Sequence, residues 1–505
     1  MLYAEKVMSK SPDGAFLDAI NLNRNSTVQL YQQIYDSLRG LIISGELASG
    51  TRLPSTRELM YDLKVSRTTV RHAFDQLIDE GYLSTRGGSG TYVASQIIDE
   101  LLQPATTKVL SGAEKPLSAA SLSRRGLKVA GAQATSGYSH ARPFVHSVPG
   151  LDQFPFKVWS RILARQWHRI DNGKMGYGEL AGYRPLRKAI ASYLATARGI
   201  NCHWEQVIIV AGAQQAFGLV ANMLLDPGDS VWVEEPGYGG ARGAFVAAGL
   251  ILVPVSVDKY GLNVKAGCAL EPNARLAYIT PSNQLPLGMV MPFSRRLEVL
   301  EWAHRTGAWV IEDDYDSEFR YIDKPLPAMQ GLDQHERTIY IGTFSKVLFP
   351  SLRLGYLVVP PSLSEPFISA NGIISKGPPT HLQAAVADFI TEGHFARHIR
   401  RMRKIYKERQ DALLEAAHSK LDNLLDVSPS NAGMHLIGWL PEGIDDVAVS
   451  ESAAARGIEI TPLSSCYQHP PQRGGFMLGF ASVPPEMLRN GIDVLASVFH
   501  EVGVS

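Results

Sequence analysis

Between Pro54 and Leu83 the chain reads PSTRELMYDLKVSRTTVRHAFDQLIDEGYL, two helical patterns joined by a tight turn. No other stretch restricts the fold as strongly, because start signals and apolar spacing agree on a single register. Ser55 with Glu58 three residues on has capping-box spacing, which predicts a short helix running to about Leu63. Lys64 and Val65 form the turn, and Ser66 caps a second helix. In that helix Val70, Ala73, Phe74, Leu77 and Ile78 fall on one apolar face. Arg67, Thr68 and Arg71 point the other way from its first two turns. A helix-turn-helix uses those positions to reach base edges and phosphates in the major groove.

Two neighbouring segments complete a small domain. Upstream, Tyr31, Ile34, Leu38, Leu41 and Ile42 make an amphipathic helix ending near Gly45. Downstream, LSTRGGSGTYV (Leu83–Val93) has hairpin chemistry, with Arg86 before a glycine-rich tip at Gly87, Gly88 and Gly90. Three helices followed by a β-wing make a winged helix. The run GTRLPSTREL…VSRTTVRHAFDQLIDEGYL…GGSGTYV resembles the winged-helix domain of the GntR family of bacterial regulators, over residues 24–95. The resemblance implies DNA contacts at Ser55, Arg57, Ser66, Arg67, Thr68, Thr69 and Arg71 and at the wing glycines Gly87 and Gly88, with Arg52 as a further phosphate contact. It also implies binding as a dimer to a double-stranded operator with two half-sites.

Composition bounds the remainder. A chain of 505 residues should hold two or three domains with a large core. Its 49 basic and 49 acidic residues cancel, and residues 24–95 hold eight Lys and Arg against seven Asp and Glu. Net charge therefore lends DNA binding no support; only the placement of the arginines does. The cysteines (Cys202, Cys268, Cys466) are scattered without metal-ligand spacing, which fits a reducing compartment and no structural metal. The start, MLYAEKVMSKSPDGAF, lacks the apolar run of a signal peptide, and no segment approaches the ~18 apolar residues of a membrane span. The expectation is a cytoplasmic protein, with residues 1–23 as an N-terminal tail. From 96 to 141 the chain is rich in Ala, Ser, Thr, Gly, Lys and Arg, and is expected to be a flexible linker.

Residues 142–505 alternate short apolar strands with helical stretches: VIIVAG, SVWVEEP, LAYITP, AWVIEDDYD, TIYIGTFSK and LGYLVVP. Such alternation predicts a largely parallel α/β sheet with function at the strand ends. AGAQQAF passes from strand into helix without bulky residues, leaving amides of Ala213 and Gln214 free to hold an anion. EDDYD places Asp313 and Tyr315 at one strand end, and GTFSKVLFPSLRLG places Ser345, Lys346 and Arg353 at another. A lysine, a carboxylate, a phenol and an arginine with a serine and a helix N-terminus are what pyridoxal 5′-phosphate chemistry requires.

This pattern resembles the fold-type-I aminotransferases across residues 142–505. The resemblance implies a main sheet with helices on both faces, a smaller C-terminal α+β subdomain, and a homodimer. It makes Lys346 the Schiff-base lysine, Asp313 the partner of the pyridine nitrogen and Tyr315 that of the ring oxygen. Arg353, Ser345 and the amides of Ala213 and Gln214 would hold the phosphate. Tyr238 would stack on the ring, and Tyr177 would reach the phosphate of the opposite subunit. A GntR-type winged helix joined to such a body is the architecture of MocR-type regulators.

Two departures bear on function. Where the family carries Asn before Pro, PSNQLPLG has Leu285 before Pro286, with Asn283 two positions back. Where the family's Arg-Leu-x-Phe clamps a substrate carboxylate, GGFMLGF has Met477, and a thioether cannot replace a guanidinium. Arg242 and Arg473 are candidate substitutes. Three readings follow: a regulator whose body senses pyridoxal phosphate or an amine or amino acid, a working aminotransferase with a DNA-binding arm, and a cofactor-free dimerisation scaffold. Met477 speaks against the second and the Lys346 set against the third.

Overall fold

The computed structural model describes residues 20–86, 90–94, 122–131, 142–169, 176–321 and 327–502. They fall into two compact units, residues 1–119 and 120–505.

The first unit is the expected winged helix. Helices α1 (Leu30–Ile43), α2 (Thr56–Asp62) and α3 (Arg67–Asp79) precede a hairpin of β1 (Leu83–Arg86) and β2 (Gly90–Val93). Ser55 and Glu58 form the complete capping box, and the Ser66 side chain accepts the amide of Thr69. The apolar face of α3 packs on α1 through a core that includes Ile34, Leu38, Leu59, Val70, Ala73 and Leu77. In the hairpin Leu83 pairs with Val93 and Arg86 with Gly90, whose φ of 121° is open to glycine alone. Gly87 and Gly88, the expected tip, lie outside the described residues.

The expected linker departs from plain flexibility. Within it Arg124–Gly131 forms a helix, α4, whose start is held by the Ser123 hydroxyl accepting the amide of Gly126. This helix packs against the helix Gly239–Ala248 of the second unit. Ser123 is a local start signal, but the surface on which α4 rests is more than a hundred residues away in sequence, so composition alone read the segment as loose.

The second unit is built on an eight-stranded sheet. Its strands are β3 (Val207–Val210), β4 (Ser230–Glu235), β5 (Ile251–Asp258), β6 (Gly261–Leu262), β7 (Leu276–Ile279), β8 (Trp309–Asp314), β9 (Thr338–Thr343) and β10 (Gly355–Val358). They lie in the order β3-β10-β9-β8-β7-β4-β5-β6. The run from β5 through β4, β7 and β8 to β9 is parallel. β10 runs antiparallel to both β9 and β3. Strands β3 and β7 are buried at every position, as expected for a sheet covered on both faces. A second, antiparallel sheet orders β11 (Asp426–Val427), β12 (His435–Trp439), β14 (Gly475–Gly479) and β13 (Thr461–Pro462) as β11-β12-β14-β13. With the helices His394–Lys420 and Pro485–Val502 it forms the smaller C-terminal layer.

Candidate cofactor site and DNA interface

The carboxyl ends of the parallel strands open on one cavity of about 640 Å³. Because β10 runs backwards, its first residues meet the last residues of β9 at the same edge, which brings Arg353 beside Ser345 and Lys346. Asp313, Tyr315, Ser345, Lys346, Arg353, Ala213, Gln214 and Tyr238 all line this cavity. Tyr177 does not. It is 79 % exposed, with the Lys376 ammonium 4.4 Å from its ring centre.

Each group is held by identifiable contacts. Gly212, at φ 108°, turns the chain from β3 into the helix Ala213–Leu224, so the unpaired amides of the first turn face the cavity. Arg353 closes a short turn at φ 50°, and its exposed guanidinium has no hydrogen bond or ion pair among the described residues. Tyr238 stands before the helix Gly239–Ala248, and a Cβ on Gly240 would come within 2.4 Å of its ring. Only glycine there lets the ring lie across the helix start.

Asp313 is buried, and its Oδ2 accepts from the Tyr278 hydroxyl at 2.7 Å. Its Oδ1 has no hydrogen-bond partner among the described residues. Burial pushes this carboxyl up to about 7, against the opposing effects of Tyr278 and Lys346. Desolvation pushes the Lys346 amine down to about 8, while Asp316 and Asp313 act in the opposite sense. The ammonium donates to the Ser147 carbonyl at 2.9 Å. Next to Ser147, His146 is pushed down to about 3 by burial, with His435 and Lys346 adding to the effect, so it stays neutral beside the lysine.

The orphaned Asp313 oxygen, the unpaired Arg353 guanidinium and a helix N-terminus around one lysine fit pyridoxal phosphate: an acceptor for its pyridine N–H, cationic and amide donors for its phosphate, and an amine for its aldehyde.

Sequence reasoning missed two residues at the cavity, Thr343 and Ser147, and left the place of Asn283 open. Thr343 lines the cavity at the end of β9, where its hydroxyl accepts the Ser345 amide at 3.2 Å. A hydroxyl at a strand end was the available signal. Ser147 had none, since its partner Lys346 is 199 residues away. Asn283 is resolved as a support: its side chain donates to the Tyr315 hydroxyl at 3.1 Å and to the Asp316 carboxylate, and its carbonyl accepts from Tyr315 at 2.9 Å.

Met477 is buried on β14, in contact with a cluster of Leu285, Tyr315 and Leu463, and the Cys466 sulfur stands 3.9 Å from its own. Neither candidate replacement for its missing charge faces the cavity. Arg242 donates to the carbonyls of Cys466 and Ser465, with Glu235 at 3.9 Å. Arg473 donates to the Leu440 carbonyl and lies over the Trp439 ring.

In the first unit Ser66, Arg67, Thr68 and Arg71 are exposed along the start of α3, and Arg57 is exposed on α2. Thr69 is half-buried, its hydroxyl 2.7 Å from that of Ser66. Arg71 pairs across one turn with Asp75 at 3.5 Å. Arg52 bridges to Tyr92 of the wing, and Arg86 lies over the Tyr92 ring.

Comparison with known proteins agrees with both halves. Residues 30–93 match the family described as bacterial regulatory proteins, gntR family, and residues 149–495 match aminotransferase class I and II. The chain is 41 % identical over 478 residues to the "Probable rhizopine catabolism regulatory protein MocR" of Rhizobium meliloti, covering 95 % of each. It is 31 % identical to the "HTH-type pyridoxine biosynthesis transcriptional regulator PdxR" of Corynebacterium glutamicum, over 93 % of this chain and 96 % of that one. A solved structure, Pyrococcus horikoshii kynurenine aminotransferase in complex with PMP, superposes with a TM-score of 0.66 at 29 % identity, covering 72 % of this chain and 92 % of that one. A GntR-family DNA-binding domain on an aminotransferase-fold body with a pyridoxal phosphate site, shared along nearly the full length of these relatives, places this chain in the MocR type of transcriptional regulators.

Proposed function

We propose that this regulator holds pyridoxal phosphate through Lys346 and reports the occupancy of that pocket, by the cofactor or by an amine or amino-acid effector, to its DNA-binding unit in the cytoplasm. The observation that carries the reading is a complete cofactor cradle beside a position that lacks the carboxylate-gripping guanidinium, filled instead by Met477. In this reading Asp313 Oδ1 would accept from the pyridine nitrogen. Arg353, Ser345, Thr343 and the amides of Ala213 and Gln214 would hold the phosphate, with Tyr238 and Tyr315 holding the ring. When bound, the cofactor supplies an aldehyde and an electron-withdrawing ring. Tyr177, exposed and away from its own cavity, would complete the site of a second copy in a homodimer.

Two contacts within the second unit, near its start, support this reading. The chain emerging from the linker passes Lys346 at Ser147, and Val129 of α4 lines the same cavity. A Lys346 joined to the cofactor would no longer offer its ammonium to Ser147, so loading would alter a contact near the start of the second unit. The coupling needed is modest: a ~10-fold change in operator affinity corresponds to about 1.4 kcal/mol.

The test is operator binding by cofactor-free protein, by loaded protein, and by loaded protein with a panel of amines and amino acids. DNA affinity is expected to follow occupancy, with protection of two half-sites. Equal affinity in every arm would refute the sensing role. The second reading, a working aminotransferase, draws on the same Lys346–Asp313–Tyr315 set. Stoichiometric turnover of a common α-amino acid with a keto acid would establish it.

A further inference from the structure

Resting on the reading of Lys346 as the cofactor-holding lysine, we propose that the ligand this cavity answers is a primary amine with an apolar substituent and no α-carboxylate. The cavity wall beside Tyr238 and Tyr315 is Leu285. Behind it Met477, Leu463 and Tyr315 are packed together, with Ile437, Trp439 and Cys466 against them. Met477 stands where the aminotransferases that this body resembles carry their carboxylate-clamping arginine, and there a thioether and an isobutyl group offer no donor.

The cations on the cavity wall are taken up by the cofactor in this reading. Lys346 and Arg353 are the two lysine or arginine side chains among the described lining residues. One is the reacting amine and the other stands with the helix N-terminus that takes the phosphate. Arg242 and Arg473 are tied to backbone carbonyls of Cys466, Ser465 and Leu440 and line no part of the cavity. Freeing Arg242 would take the donor from the Ser465 carbonyl, and freeing Arg473 that of the Leu440 carbonyl, while the Cys466 carbonyl would keep the Gly237 amide. A carboxylate against Leu285 would therefore lose its water without gaining a partner, which is unfavourable. An apolar substituent there removes its own surface and that of Leu285 from water, which is favourable.

The test uses full-length, cofactor-loaded protein and two ligands differing only by the carboxylate, n-pentylamine and L-norleucine, titrated by the cofactor's absorbance and by calorimetry. Loading is checked first by borohydride reduction and mapping of the label to Lys346. Pentylamine is expected to bind about 10-fold or more tightly than norleucine. With loading at Lys346 shown, norleucine binding as tightly as pentylamine, or neither ligand binding, overturns the proposal and leaves the cofactor assignment standing. Absence of label at Lys346 overturns the cofactor assignment, and the proposal with it.

Met477→Arg places a guanidinium in the cluster and should raise norleucine affinity about 10-fold or more. A folded, loaded variant without that gain counts against the proposal. If this variant does not fold, Leu285→Asn sets a donor on the cavity wall, and the same direction of change is required of it.

Discussion

Raising the pH should accelerate the capture of pyridoxal phosphate by Lys346, with a midpoint near 8. The cause is the burial that pushes this amine down to about 8 from an ordinary 10.5. Only the free amine attacks an aldehyde, and the ammonium form is the one that donates to the Ser147 carbonyl. With the amine titrating near 8, roughly a quarter of Lys346 side chains are reactive at pH 7.5, against about 0.1 % for an exposed lysine, a ~200-fold difference. The sign follows directly: the reactive fraction rises as pH passes through 8 and is saturated above about 9, whereas surface lysines go on rising past pH 10. The assay mixes cofactor-free protein with pyridoxal phosphate, quenches at intervals with borohydride, and quantifies labelled peptides by mass spectrometry. The surface lysines of the same chain serve as internal reference. A Lys346 rate that keeps climbing to pH 10 in parallel with them would refute the argument, as would an unchanged reducible chromophore in Lys346→Ala.

Asp313→Ala should keep part of the cofactor but shift its absorption, because the pyridine nitrogen loses the acceptor provided by the orphaned Oδ1; an unchanged spectrum contradicts that role. Gly240→Ala sets a methyl group within 2.4 Å of the Tyr238 ring, so loading should weaken and the spectrum change without loss of the fold, measured by cofactor titration beside a melting curve. Arg67→Ala should weaken operator binding by roughly 1–3 kcal/mol and relax sequence preference if the side chain reads a base. Arg71→Ala should do the same, less the exposed pairing with Asp75 that it also removes. Arg52→Ala should lower affinity on all sequences alike and flatten the salt dependence by about one unit of slope, checked by titration over a range of salt.

The winged helix was legible in the chain because its signals are local. A Ser55–Glu58 box, a Ser66 cap and the Val70–Leu77 face each involve groups within about two helical turns, and short-range hydrogen bonds with apolar spacing need no distant partner to be recognised. The clustering of the residues that line the cavity was legible for a related reason. Each stands where an apolar strand ends, and strand ends of a parallel sheet share one edge, so Asp313, Ser345 and Lys346 meet whatever the loops do. Tertiary structure decided the rest. The reversal of β10 that carries Arg353 to that edge depends on its pairing between β9 and β3, which no local pattern encodes. The tie from Lys346 to Ser147, the support of Tyr315 by Asn283, and the engagement of Arg242 and Arg473 with backbone carbonyls join segments far apart in the chain. A residue type states which bonds a side chain can make. Only the packing of distant elements determines which of those bonds are already taken, and therefore which groups remain for a ligand.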